Sequence, residues 1–159
     1  MRSEIIFRYS SSWWGRYGGL SGVTVTVAAD FSDPAKWPYT VERKDWSEGD
    51  AWEDEGRTEE VESFRISKAV FDEVKRTVAA NSALATCREE IENAVMDGSS
   101  ESFYFQCDTF TRNISGQSVL GCAFADYERP PHQRSDNYKV RVAYEAIETV
   151  LKKAGIDVL

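Results

Sequence analysis

Few side chains of this chain are of the kind that perform nucleophilic or metal chemistry. Its one histidine, His132, lies in a proline-containing segment between two arginines, without a neighbouring acid or thiol. One histidine severely limits metal binding, and no sequence signature supports a nucleophilic pair with a cysteine. The three cysteines, Cys87, Cys107 and Cys122, form no CxxC unit, so we expect reduced and buried thiols. A disulfide between Cys107 and Cys122 across a hairpin is the alternative, which a cytoplasmic setting disfavours.

Carboxylates are abundant, but nothing in their spacing selects a catalytic or metal-binding set. The segment 50–56 lacks the ligand spacing of an EF-hand loop, and clustered acids on a loop stay ionised, whereas a general acid needs a raised pKa. The glycines between Gly15 and Gly22 match neither the dinucleotide fingerprint nor the P-loop. We therefore expect no catalytic residue, no metal and no cofactor. A small hydrolase or transferase with no recognisable motif is kept as an alternative.

The acids concentrate in one stretch of the chain. Between Glu42 and Glu62 there are ten acids and three bases, a net charge of −7, whereas the other residues carry 17 acids and 16 bases. The total net charge of −8 is therefore mostly local. Trp46 and Trp52 lie within this stretch, and aromatic residues are uncommon in segments that only solvate the chain. A solvated flexible loop and a partner-binding surface are the two interpretations.

The partner-binding interpretation rests on the chemistry of this combination. Tryptophan is enriched among the residues that dominate binding energy, while carboxylates speed association with basic proteins and pair bidentately with arginine. The predicted partner-binding residues are Asp45, Trp46, Glu48, Asp50, Trp52, Glu53, Asp54, Glu55, Glu59 and Glu60. We expect a basic protein as the partner, foremost a cognate nuclease-type toxin. The chain would then be an immunity protein or antitoxin that blocks the toxin's active-site groove; a phage nucleic-acid mimic, of the anti-CRISPR kind, is the alternative.

Composition also limits other partners. The sequence pI near 4.8 repels nucleic acid and anionic membranes at long range, so we expect direct contact with neither. The N-terminal residues lack the apolar core of a signal peptide, and no apolar run reaches the ~20 residues of a membrane helix. These features predict a cytoplasmic protein and leave its oligomeric state open. Five residues are candidates for base stacking, with packing back onto the sheet as the alternative: Arg8, Trp13, Trp14, Arg16 and Tyr17.

The elements that must position these residues follow from hydrophobic periodicity. Alternating or β-branched runs predict strands at 4–9, 23–27, 39–43, 61–66, 103–110 and 118–125, the last two paired as a hairpin at the sheet centre. Apolar stripes at helical spacing predict helices after a Ser67 cap, at 84–95, and at about 135–154, with one kinked helix in place of the first two as the alternative.

This order of elements sets the expected fold class. Strands that follow one another without intervening helices favour antiparallel pairing. We expect an α+β fold with a mainly antiparallel sheet of about five to six strands and two or three helices packed on it. The whole chain, 1–159, is predicted to be one globular domain with an acidic loop at about 42–60.

Overall fold

A single β-sheet organises the part of the chain that the computed structural model describes, residues 3–15, 18–49, 56–95 and 98–159. Its strands are β1 (Ser3–Trp14), β2 (Leu20–Asp30), β3 (Tyr39–Ser47), β4 (Thr58–Arg65), β5 (Glu90–Ile91), β6 (Ser100–Gln106) and β7 (Thr111–Gln117). The helices are α1 (Lys68–Ala80), α2 (Val119–Cys122) and α3 (Asp136–Lys153), with short 3-10 turns at Ser82–Thr86, Ala123–Asp126 and Pro131–Gln133.

The strand order across the sheet is β4-β3-β2-β1-β6-β7-β5. Every neighbouring pair is antiparallel except β5 and β7, which are parallel, so the sheet is mixed. The α+β class is therefore confirmed, and the seven described strands exceed the predicted five to six. None of the helices in the described residues is long and apolar enough to cross a membrane.

The hydrophobic core lies between one face of the sheet and the helices α1 and α3. In β2, Val25, Val27 and Ala29 alternate with half-buried residues and face this core. As predicted, α1 begins after Ser67, whose hydroxyl accepts a hydrogen bond from the Val70 N–H, and α3 buries a continuous stripe that includes Ile147. Throughout, the outer face means the sheet face opposite α1 and α3.

The predicted hairpin of 103–110 with 118–125 is wrong in its second strand. The partner of β6 is β7, which occupies the segment expected to be the hairpin loop. In β7 only Ile114 is fully buried, and the polar residues around it leave too little apolar character to mark a strand. Val119 and Ala123 are four residues apart and both buried, which places them on one side of α2 and the turn that follows it.

The predicted helix at 84–95 is also wrong. Leu84, Cys87 and Ile91 are buried as expected, but they lie in a 3-10 turn, an extended residue and β5. Their spacing fits a helical stripe, so periodicity alone did not separate the two conformations. Tertiary pairing decides: Ile91 pairs with Gly116 of β7, where a Cβ atom would come within 2.6 Å of the Ile91 carbonyl oxygen.

Candidate functional site

Five of the ten predicted partner-binding residues lie in the described part of the chain. Asp45 and Trp46 belong to β3, Glu48 follows it, and Glu59 and Glu60 belong to β4. The other five fall outside the described residues: Asp50, Trp52, Glu53, Asp54 and Glu55.

The acidic stretch is largely a β-hairpin where the structure describes it, rather than a loop from about residue 42 to 60. β3 continues to Ser47 and β4 begins at Thr58, with Trp46 opposite Glu59 and Asp45 opposite Glu60. The sequence shows no alternation of apolar and polar residues here because, beyond the buried Val41, both faces of the two strands carry polar residues. The acids are therefore held on paired strands.

The sheet separates the predicted residues into two groups. Residues directly opposite each other on neighbouring strands share a face. Asp45 lies opposite Val23 of β2, which packs against the core, so Asp45 and Glu60 lie on the helix side. Trp46 and Glu59 consequently lie on the outer face. The predicted acids therefore do not form one continuous patch, because Asp45 and Glu60 lie on one face of the sheet and Glu59 lies on the other.

On the outer face, Trp46 contacts a glycine and an arginine. Its indole covers Gly22, the residue opposite it in β2; a Cβ atom on Gly22 would lie 2.5 Å from the indole Cζ2. The Arg57 guanidinium lies over the ring, 4.7 Å from its centroid, and Arg57 Nη2 is 3.0 Å from Glu59 Oε1. We call Gly22, Trp46, Arg57 and Glu59 the Trp46 surface. A cation on this ring contributes about 0.5–1 kcal/mol at an exposed site.

A shallow depression of about 280 Å³ lies at the same end of the sheet. It is lined by Trp13, Gly22, Asp45, Trp46, Ser47, Thr58 and Glu60, and we call it the Trp13 depression. Its volume and its mixture of indole and carboxylate suit a long basic side chain.

The two carboxylates of the Trp13 depression differ in their electrostatic partners. Asp45 accepts two hydrogen bonds from Arg43, at 3.0 and 3.1 Å, and Arg43 also donates to the Val158 carbonyl oxygen at 2.8 Å. The bond to Asp45 raises the pKa of Arg43, and the opposite charges of the two side chains largely cancel. Glu60 forms no ion pair with any residue in the described ranges. Of these two carboxylates, Glu60 is thus the one whose negative charge can pair with a basic ligand.

The strand β1 extends to Trp14, beyond the predicted strand at 4–9. Trp13 and Trp14 end this strand, with 43% and 72% of their surface exposed. Trp14 pairs with Leu20, which places it on the outer face, whereas Trp13 pairs with Ser21 and contributes to the Trp13 depression. Arg16 and Tyr17 lie outside the described residues.

The remaining candidates for chemistry lie apart from this end of the sheet. His132 is exposed in the Pro131–Gln133 turn. Burial raises the pKa of the Cys87 thiol to about 11, so it stays protonated at neutral pH and is a poor nucleophile. All three cysteines are free, with Cys122 half-buried. In the ranges that the structure describes, no three His, Cys, Asp or Glu side chains converge as a metal site.

Two buried carboxylates, Glu101 and Asp126, escaped the sequence analysis. Glu101 of β6 accepts hydrogen bonds from the Tyr9 hydroxyl at 2.8 Å and from the Leu120 N–H at 3.2 Å. Burial, reinforced by the negative charge of Glu101, raises the pKa of Tyr9. This arrangement ties β1 and β6 to α2 and satisfies a buried acid, which is a structural role.

Gly22 and Arg57 also escaped notice, because each acquires its role only through contact with Trp46. Neither position carries a local motif, and Gly22 and Trp46 are 24 positions apart in the sequence.

No family model matches the sequence, and a comparison with curated proteins finds no match either.

Proposed function

We propose that this chain is an inhibitor of the immunity-protein type. It binds a basic protein, foremost a nuclease-type toxin, and blocks the groove in which that protein holds its phosphates. The observation that carries this proposal is the Trp46 surface, where an indole and a carboxylate are fixed on paired strands. Binding groups on strands are positioned more accurately than groups on loops, and this lowers the entropy lost on association.

Charge supports a basic partner. The acidic stretch carries −7 of the total −8, and its described part lies at one end of the sheet. A concentrated negative field accelerates the encounter with a cationic groove and is screened by salt. Glu59 and Glu60 project from opposite faces of β4, so the hairpin presents carboxylates on both faces of the sheet at its β4 edge.

Trp46 supplies the apolar anchor. A partner arginine can take the position of Arg57 over the indole and pair with Glu59, because the ring face and the carboxylate lie together there. Loss of such an anchor typically costs ~2 kcal/mol or more, which is a ~30-fold weaker affinity and mainly a faster dissociation.

The test is neutralisation of the protein encoded immediately upstream of this gene. That protein is expressed in a bacterial host with and without this chain, and growth and nuclease activity are measured. We expect growth arrest and nucleic-acid cleavage by the upstream protein alone and rescue by co-expression. A non-toxic upstream protein, or one that the purified chain does not bind, would refute the proposal.

A matched pair of charge variants locates the surface. Glu59→Lys with Glu60→Lys should abolish rescue, slow association and flatten its salt dependence. Glu90→Lys with Glu92→Lys makes the same change in net charge at exposed positions near β5, at the other end of the sheet, and should leave rescue nearly intact. Equal effects of the two pairs would show that only total charge matters.

A further inference from the structure

The edge of the sheet at β4 presents unpaired backbone groups. In an antiparallel ladder, alternate residues of a strand direct their N–H and C=O toward one neighbour. The Ile66 N–H donates to the Tyr39 carbonyl oxygen at 3.1 Å, and the register places 41 opposite 64 and 45 opposite 60, so the even-numbered residues of β4 bond to β3. The odd-numbered residues therefore point their backbone groups outward: Glu59, Val61, Ser63 and Arg65.

Nothing in the described ranges covers this edge. Every residue of β4 except Phe64 is exposed, and among the described strands β3 is its only neighbour in the sheet. Natural sheet edges are usually blunted by short strands, charged side chains such as lysine, proline or bulges. β4 runs for eight residues in regular register without proline, and its edge protection consists of charge, from three glutamates and one arginine. Its exposed edge is thus a template for a further strand.

Charge decides which strand fits. Because the outward groups belong to odd-numbered residues, two copies of β4 pair only in registers that match odd with odd. Antiparallel registers centred on Glu60 or Val61 set glutamates of the two copies opposite one another, which is destabilising. The register centred on Glu62 sets one pair of Glu62 residues against two attractive pairs of Glu59 with Arg65, so a second copy in this register competes for the edge. A strand with lysine or arginine opposite Glu60 and Glu62 gains attraction in the same positions.

We infer that β4 accepts an extended basic segment of the partner as an eighth, antiparallel strand. This inference rests on the proposed function and specifies its binding mode. Glu60 and Glu62 lie on one face, so they select basic residues at alternate positions of the incoming strand. Backbone hydrogen bonds supply affinity, and the alternate side chains supply specificity.

The direct probe is a capped eight-residue peptide in which lysine and threonine alternate. When its lysines lie opposite Glu60 and Glu62, its threonine N–H groups point toward β4 and its lysine N–H groups point away. N-methylation of the threonine amides should therefore remove binding, whereas N-methylation of the lysine amides should preserve it at equal charge. Binding is followed by amide chemical shifts of Glu59, Val61 and Ser63 at low salt.

The matched variants of the chain are Val61→Pro and Val61→Thr. Proline removes one outward N–H that β3 does not use, so an edge strand tolerates it, and threonine keeps both that N–H and a β-branched side chain. We expect Val61→Pro to weaken binding of the unmethylated peptide about tenfold or more. Val61→Thr should leave the affinity for this peptide unchanged. If Val61→Pro does not fold, binding of the two methylated peptides to the native chain tests strand addition without it.

The outcomes separate this inference from the proposed function. Equal binding of both methylated peptides, or binding of none of the peptides, overturns strand addition. Neutralisation of the upstream protein then still tests the proposed function, because rescue by the native chain is measured without regard to how the two proteins bind. Discrimination between the methylated peptides, together with loss in Val61→Pro, establishes the edge as the docking site.

Discussion

Gly22→Ala tests whether Trp46 is held against the β2 backbone. A methyl group at this position would lie 2.5, 2.6 and 2.7 Å from the indole atoms Cζ2, Cε2 and Nε1. Carbon atoms in contact are ~3.5–4.0 Å apart, so the ring must move by about 1 Å. The backbone itself accepts alanine, because Gly22 is not in the left-handed region. The cost therefore comes from the indole alone.

The expected magnitude follows from two opposing effects. Overpacking costs ~1–3 kcal/mol, and replacement of glycine by alanine in a strand returns ~0.5–1 kcal/mol. We expect Gly22→Ala to lower the free energy of unfolding by roughly 0.5–2 kcal/mol. In a Trp46→Ala background no ring opposes the methyl group, and the same substitution should raise the free energy of unfolding by ~0.5–1 kcal/mol. The coupling between the two sites is then ~1–3 kcal/mol.

The assay is urea unfolding of four proteins: native, the two single variants and the double variant. The double-mutant cycle isolates the contact because backbone effects of alanine at position 22 occur in both backgrounds. If Gly22→Ala changes the free energy of unfolding equally with and without Trp46, the indole does not lie on Gly22. The Trp46 surface would then lose its rigid support, and with it the argument that the anchor is preorganised.

Two further predictions concern α3. Ile147→Ala should cost ~2–5 kcal/mol in urea unfolding, because Ile147 is fully buried against the sheet; an unchanged midpoint would contradict that packing. Burial alone would raise the pKa of Asp136, but hydrogen bonds from Arg88 and Lys139 lower this pKa overall. The ionised Asp136 therefore stabilises the folded protein above about pH 4, and this stabilisation is lost as the pH falls through the folded-state pKa. Asp136→Asn should therefore cost roughly 1 kcal/mol at pH 7, a value discounted for the exposed Arg88, and the cost should shrink as the pH falls below about 4; a cost that does not change with pH would refute this assignment.

Local signals in the sequence predicted those elements that local interactions determine. The Ser67 cap and the apolar stripe around Ile147 are both encoded within a few residues, and both were found where expected. The strand at 118–125 failed because consecutive apolar residues do not tell a strand from a helix. β7 was missed because only Ile114 of that strand is fully buried. Its polar residues become a strand through pairing with β6, which is a long-range event.

The candidate site shows the same division. The prediction that Trp46 and the acids bind a partner rests on composition alone. The sequence could not assign Trp46 and Asp45 to opposite faces, because that assignment depends on strand register. It also could not find Gly22, whose importance lies in the absence of a side chain beneath the indole.

The two ends of the sheet are unequal, and this limits how the protein can associate. β4 offers an eight-residue edge, whereas the opposite end is β5, with only two paired residues. A fibre that grows by edge-to-edge stacking needs an open edge at each end of every subunit, so that each addition creates the next template. Here the addition of one strand to β4 covers the long edge, and the remaining edge is the two-residue β5. Association through the sheet therefore terminates after one step, and a polymer cannot propagate by this route.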